Sequence, residues 1–195
     1  LSYLLRVMTG IVAFVLAGCA APKLDVTGSC PLPDVEASVD VIDVPGGHGT
    51  AWVVAPGRMV TARHIADRMG SGRVHETLDV AVLHRGGGQR PLPLGPPPAV
   101  GQPVWLIGYA QVAGNRGIVR TLGHWQRDGS EAWVSAAMHP GASGGPVVDC
   151  EGRVVAVSVG TGSAPIISPL PGASMVPHLG VVVPISKIRE WLNQE

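Results

Sequence analysis

Between positions 39 and 185 the chain is a succession of short apolar runs, each cut off by glycine or proline after a handful of residues. Val39-Asp40-Val41-Ile42-Asp43-Val44 ends at Pro45-Gly46-Gly47, and the run over 49–54 ends at Ala55-Pro56-Gly57-Arg58. Further runs cover 59–62, 79–84, 104–109, 117–122, 132–136, 147–149, 153–159 and 179–185. Runs this short, with turn residues between them, predict the strands of an all-β barrel or sandwich. The 27 glycines and 18 prolines therefore read as turn-makers, since 46% apolar residues is too many for a disordered chain. The stretch 85–98, with three consecutive glycines and five prolines, is expected to cross between two halves and to hold a short strand over 92–94. Residues 160–177 read as a long Gly/Ser/Pro loop. Helix is confined to one or two turns over 64–68 and to 186–192, where apolar residues recur at helical spacing behind Ser186 as N-cap.

One turn in this frame carries chemistry. In His139-Pro140-Gly141-Ala142-Ser143-Gly144-Gly145-Pro146 a serine stands among glycines just ahead of the apolar Val147-Val148. Gly141 lets the backbone turn without a Cβ, so that its N–H and that of Ser143 can point at one spot. Two such donors form an oxyanion hole, and losing one costs about 3 kcal/mol of catalysis. Gly144 and Gly145 keep side chains away from a substrate carbonyl, and Pro146 fixes the exit into a strand. A serine hydroxyl also needs a base, and a third group to orient that base. His64 follows Val60-Thr61-Ala62-Arg63, and Asp79 opens the run Val80-Ala81-Val82-Leu83. The other histidines (His48, His75, His84, His124, His139 and His178) are read as structural or surface residues.

These three boxes, in the order His, Asp, Ser, resemble those of the chymotrypsin-like (trypsin-fold) serine proteases. The resemblance covers roughly residues 38 to 194. Its closest flavour is bacterial and HtrA/Deg-like, on Pro140-Gly141-x-Ser143-Gly144-Gly145-Pro146 and on a late Leu179-Gly180-Val181-Val182-Val183-Pro184-Ile185 strand leading into a terminal helix. It implies a peptidase domain over 38–195, without the PDZ domain that many such relatives carry. It further implies two packed Greek-key β-barrels, the first over about 38–90 and the second over about 101–185, with a short C-terminal helix over 186–194. The site it implies is a catalytic triad of His64, Asp79 and Ser143, with Gly141 and Ser143 as oxyanion donors. Ser158-Val159-Gly160 resembles the family's substrate-aligning strand, which binds the peptide backbone by β-addition. Ala137 and Met138, Ser158 to Gly160, and Val181 or Val183 would wall the specificity pocket. No acidic residue stands where a basic P1 side chain would need one, so cleavage after small or medium aliphatic residues is expected. Ala142 replaces the aspartate of the animal digestive enzymes, so activation by N-terminal cleavage is not expected. One departure stands out: only 15 residues separate His64 from Asp79, too few for the hairpin most relatives fit there. Either strands have been trimmed from the first barrel, or Asp67, one turn beyond His64, orients the imidazole.

At the N-terminus Arg6 precedes an apolar run over 7–17, too short for a bilayer-spanning helix of roughly 20 residues. The run ends in Leu16-Ala17-Gly18-Cys19, which resembles the bacterial lipobox. The expectation is a lipoprotein signal peptide over 1–18, a diacylated Cys19 and a tether over 19–37. The protein would then be lipid-anchored in the cell envelope, on the periplasmic side of the outer membrane in a Gram-negative cell. In that oxidising setting Cys30 and Cys150 form an even pair, either as a disulfide or as two free buried thiols. Equal numbers of basic and acidic residues, 14 each, point away from a nucleic-acid partner. Cysteines and histidines without ligand spacing imply no metal or cofactor. The expected function is a serine endopeptidase hydrolysing envelope proteins or peptides through an acyl-enzyme. The alternative is a catalytically inactive pseudoprotease that uses the groove to bind a peptide or protein. An esterase would use the same triad.

Overall fold

The computed structural model describes residues 30–85, 89–112, 114–127, 132–165 and 175–194. Strands β1 (Val39–Val44), β2 (Gly47–Ala55), β3 (Arg58–Thr61), β4 (Arg73–Val74) and β5 (Ala81–Leu83) form one antiparallel sheet in the order β1-β2-β3-β5-β4. Strands β6 (Pro103–Val112), β7 (Asn115–Arg127), β8 (Ala132–Val134), β9 (Pro146–Val148), β10 (Val154–Pro165) and β11 (Met175–Pro184) close into a barrel in the order β10-β11-β8-β7-β6-β9. Helix α1 (Arg63–Met69) leaves β3, and helix α2 (Ile185–Leu192) follows β11. This is the all-β plan with a C-terminal helix that the resemblance implies: the second half closes into the expected barrel, while the first, with its short β4 and β5, is a five-stranded sheet rather than a closed barrel.

Side chains alternate across a strand, and here both faces of several strands are buried, which is why their runs lack a polar side. On β2, Ala51 and Val53 join Ile42, Met59, Ile65 and Leu83 in a core inside the first sheet. Trp52 points the other way, as do Val60 of β3 and Val82 of β5. These meet Ile107, Val157 and, from α2, Ile185, Ile188 and Leu192 in a core between sheet and barrel. A third core, with Leu106, Trp125, Val134 and Val182, fills the barrel. Burying each such side chain contributes roughly 1.5–3 kcal/mol, so the middle core holds the two halves in fixed relation.

The chain crosses between them at 89–98. Leu92 N–H donates to Val53 of the sheet at 2.9 Å, while Gly95 N–H donates to Val154 of the barrel at 2.8 Å. A disulfide joins Cys30 to Cys150, fastening the N-terminal segment to the turn between β9 and β10. Asp149 in that turn is buried and accepts a hydrogen bond from Arg153 Nε at 2.7 Å.

Two local expectations are corrected. The last helix has Pro184 at its N-cap, without a side-chain cap, so Ser186 lies inside the first turn. Proline's ring fixes φ near −61° at that point and sets the entry that a serine cap would otherwise set. The stretch 160–177 is also not wholly loop, because Ala164 pairs with Val176 and Pro165 with Met175. Register shifts between Ser158 and Gly160 and between Gly162 and Ala164 absorb its irregular residues while the ladder continues. Residues 166–174 lie outside the described residues, as do 1–29 with the signal segment and Cys19.

Candidate active site

β3 delivers Thr61 and Ala62 to the junction of the two halves, and α1 starts at once, carrying His64 in its first turn. His64 meets Asp79 twice. Its ring Nδ1 lies 2.7 Å from Asp79 Oδ2, and its backbone N–H donates to Oδ1 at 2.9 Å. An ionised carboxylate only accepts, so Nδ1 is the donor, and in the neutral ring this tautomer leaves the Nε2 lone pair free. Burial pushes the Asp79 carboxyl up, but the opposing effects prevail: the His64 ring bond, the His64 N–H, the imidazole's charge and the Arg63 N–H hold it below its ordinary 3.8. Asp67 sits on the exposed side of α1 and faces Arg63 Nε at 3.5 Å.

The short His64-to-Asp79 gap is spanned by the rest of α1, the two-residue strand β4 and one tight turn. His75 N–H donates to Val80 at 2.9 Å to close that turn. His75 Nδ1 accepts from the N–H groups of Thr77 and Leu78, each at 3.2 Å. The Arg63 guanidinium donates to the carbonyls of His75 and Glu76 at 3.2 and 3.1 Å, so the residue beside His64 also holds the loop that presents Asp79. Trp191 of α2 braces the same loop, edge-on to His75 and under the Arg73 guanidinium.

The serine turn is built from backbone. Ala142 N–H donates to His139 at 3.0 Å, with Gly141 at φ +95°, a conformation that favours glycine. Gly144 fits only because it has no side chain: a Cβ there would lie 2.2 Å from Thr50 O and 2.3 Å from Thr61 Oγ1. Gly144 thereby seats the serine turn against the end of β3, three residues ahead of His64. The Ser143 carbonyl accepts from Thr50 N–H at 2.8 Å. Among the described residues Ser143 Oγ has no hydrogen-bond partner, and neither the Gly141 nor the Ser143 N–H has an acceptor.

A cavity of about 480 Å³ opens beside Ser143, lined by Ala137, Met138, His139, Pro140, Gly160 and Thr161. Ala137, Met138 and Gly160, which the resemblance implies as pocket walls, line this cavity. Ser158 and Val159 do not line it. The Ser158 hydroxyl points into the protein, 2.8 Å from Ala142 O, and Val159 packs against the cores. Past Val157, β10 pairs only with β11 among the described residues, so the other edge of Val159 to Thr161 has no strand partner among them. Pocket residues His139 and Pro140 stand in the serine motif with no part assigned to them there, whereas Thr161 and the turn's neighbours Thr50 and His48 carry no local motif. Thr50, the one polar side chain of the apolar run over 49–54, reads from sequence as an ordinary strand residue. His48 lies against Gly141, where a Cβ would come within 2.1 Å of its Nε2.

This two-part β fold, with a glycine-framed serine at the junction where an aspartate holds a histidine, defines a serine-type peptidase of the trypsin-like kind. A family model described as "Trypsin-like peptidase domain" matches residues 49–157, and the chain belongs to that family. Among solved structures it is similar to the Mycobacterium tuberculosis H37Rv protease Rv3671c. An inactive-form structure of a serine-to-alanine variant is 20% identical with a TM-score of 0.63, the match covering 81% of this chain and 86% of that one. The inactive and active forms of Rv3671c itself are each 21% identical, again with a TM-score of 0.63. Those matches cover 81% of this chain and 88% and 80% of theirs. No curated protein matches the chain.

Proposed function

We propose that the protein is a serine endopeptidase whose triad is Ser143, His64 and Asp79, acting on proteins or peptides of the cell envelope. The observation that carries this reading is the two-point hold of Asp79 on His64, which fixes the ring's tautomer and aims a basic Nε2 away from the carboxylate. His64 takes the proton from Ser143 Oγ as the hydroxyl attacks the scissile carbonyl, and passes it to the leaving amine. Asp79 stabilises the imidazolium and stays ionised. The N–H groups of Gly141 and Ser143, without an acceptor among the described residues, receive the oxyanion of the tetrahedral intermediate. Water then hydrolyses the acyl-enzyme with His64 as base. The substrate backbone adds to the open edge of Val159 to Thr161, and its P1 side chain enters the cavity beside Ser143.

None of the residues lining that cavity is acidic, and Met138 and Pro140 give it apolar walls, which favours small or medium aliphatic P1 residues. Anchoring through a diacylated Cys19 places the enzyme in the envelope, on the periplasmic face of the outer membrane in a Gram-negative cell. The disulfide fits an oxidising compartment of that kind. Digestion of a peptide library tests the reading. Cuts should fall after Ala, Val or Leu and vanish in Ser143→Ala. A profile dominated by Lys, Arg or Glu at P1 contradicts the specificity, and cleavage surviving in Ser143→Ala contradicts the mechanism. Acyl-chain labelling that Cys19→Ser abolishes tests the anchor.

A further inference from the structure

Two fully buried hydroxyls, Thr50 on β2 and Ser158 on β10, converge on the backbone of the serine turn from opposite halves of the molecule. Thr50 Oγ1 donates to Gly141 O at 2.8 Å, and Thr50 N–H donates to Ser143 O at 2.8 Å. The Thr50 hydroxyl oxygen itself accepts from Tyr109 N–H at 2.8 Å, which directs its one proton to Gly141. Ser158 Oγ lies 2.8 Å from Ala142 O and 3.1 Å from Gly145 O, and Ser158 O accepts from Gly144 N–H at 2.7 Å. Three consecutive carbonyls, those of Gly141, Ala142 and Ser143, are thus each held by one of these two residues.

A trans peptide unit is planar, with C=O and N–H pointing in opposite directions. The unit joining Gly141 to Ala142 is pinned at both ends, its carbonyl by Thr50 and its N–H by His139 O. The unit joining Ser143 to Gly144 is likewise pinned, by Thr50 N–H and by Ser158 O. Between them, the Ala142 carbonyl is drawn back to Ser158 Oγ and to Gly145 N–H, so the Ser143 N–H of the same unit must face the other way. Turning the Ser143 donor aside would break the bond of the buried Ser158 hydroxyl to Ala142 O and leave that buried carbonyl short of a partner, which is costly.

We infer that Thr50 and Ser158 are positioning residues that form a clamp across the two halves, holding the Ser143 oxyanion donor in its working direction and fixing the Gly141–Ala142 unit that follows the second donor. The inference rests on the reading of Ser143 as the nucleophile. It also assigns the Ser158 side chain a place behind the turn, with substrate alignment left to the strand's open edge.

The test compares wild type with Thr50→Val, Thr50→Ser and Ser158→Ala, each shown to be folded by its melting curve. It measures kcat and KM on a fluorogenic peptide and the inhibition constant of a peptide boronic acid, whose tetrahedral adduct fills the oxyanion hole. Thr50→Val and Ser158→Ala should each lower kcat about 10- to 100-fold, the scale of a small misplacement of catalytic groups. KM should stay within about threefold, and boronate affinity should fall by the same factor as kcat, because the lost interaction exists only in the transition state. Thr50→Ser keeps the hydroxyl and should stay within about threefold of wild type in all three readouts. Should Thr50→Val fail to fold, Ser158→Ala, which removes one oxygen, carries the test. Folded variants with unchanged kcat, or with kcat lost and boronate affinity kept, overturn the clamp. A wild-type chain that neither hydrolyses peptides nor reacts with a fluorophosphonate overturns the peptidase reading, and the clamp with it.

Discussion

His64 and Asp79 are joined at two points, ring Nδ1 to Oδ2 at 2.7 Å and backbone N–H to Oδ1 at 2.9 Å, across only 15 residues of chain. One carboxylate thus fixes both the imidazole and the start of the helix that carries it. A double hold of this kind lets a loop of one tight turn replace a hairpin, provided the turn is itself braced. Arg63, His75 and Trp191 supply the bracing.

Asp79→Asn should therefore fold and yet lose about 10⁴-fold in kcat, because the amide favours the wrong imidazole tautomer. Asp67→Asn removes only an exposed pairing with Arg63 and should stay within about threefold of wild type. Steady-state kinetics of the two variants side by side distinguish the acids. Equal losses would contradict the assignment of Asp79.

The same carboxylate predicts a pH signature in stability. Its folded-state value lies below the ordinary 3.8, so the folded chain binds fewer protons there than the unfolded one. The stabilisation is complete above the unfolded value and is lost as pH falls through the folded value. Urea midpoints of wild type and Asp79→Asn should differ most above about pH 5 and converge as the pH drops below the unfolded value. The group is partly exposed, so solvent screening keeps the effect modest. A gap that widens toward acid would reverse the sign.

Gly144→Ala places a Cβ on Thr50 O and Thr61 Oγ1 and forces a non-glycine residue to φ +89°. The backbone conformation alone costs about 1–2 kcal/mol, and the contact with β2 and β3 adds to it. The variant should melt lower and lose activity together, since the same contact seats Ser143. A variant that melts lower but keeps wild-type kcat would separate the two.

Much of this was legible because the local chemistry is backbone chemistry. The residues around Ser143 are glycines, because the turn must reach +95° at Gly141 and approach Thr50 closely at Gly144, and few other sequences allow that. The strands were legible because both faces of β2, β3 and β5 are buried. Three-dimensional choices were not. Whether Asp79 or Asp67 reached the imidazole depended on how the turn over 75–80 was braced, which rests on an arginine binding carbonyls and on a tryptophan in α2. Thr50 reads as an ordinary strand residue, and only the fold shows that its hydroxyl meets Gly141. Pro184 outranks Ser186 at the last helix because entry geometry was set by a ring rather than by a capping bond.

The disulfide between Cys30 and Cys150 closes a loop with a sequence separation of 120 and ties the N-terminal segment to the barrel. Its removal should lower stability by about 2–4 kcal/mol. Unfolding of Cys30→Ser or of the reduced chain in urea checks this. An unchanged midpoint would mean the bridge contributes nothing to the fold.

The most direct measurement is fluorophosphonate labelling followed by mass spectrometry of the modified peptide, because only a serine activated by a neighbouring base reacts. The expected result is one adduct, on Ser143, absent from Ser143→Ala and strongly slowed in His64→Ala. A folded wild-type protein that takes up no label, or is labelled at another serine, would contradict the central claim that His64 activates Ser143 across the junction of sheet and barrel.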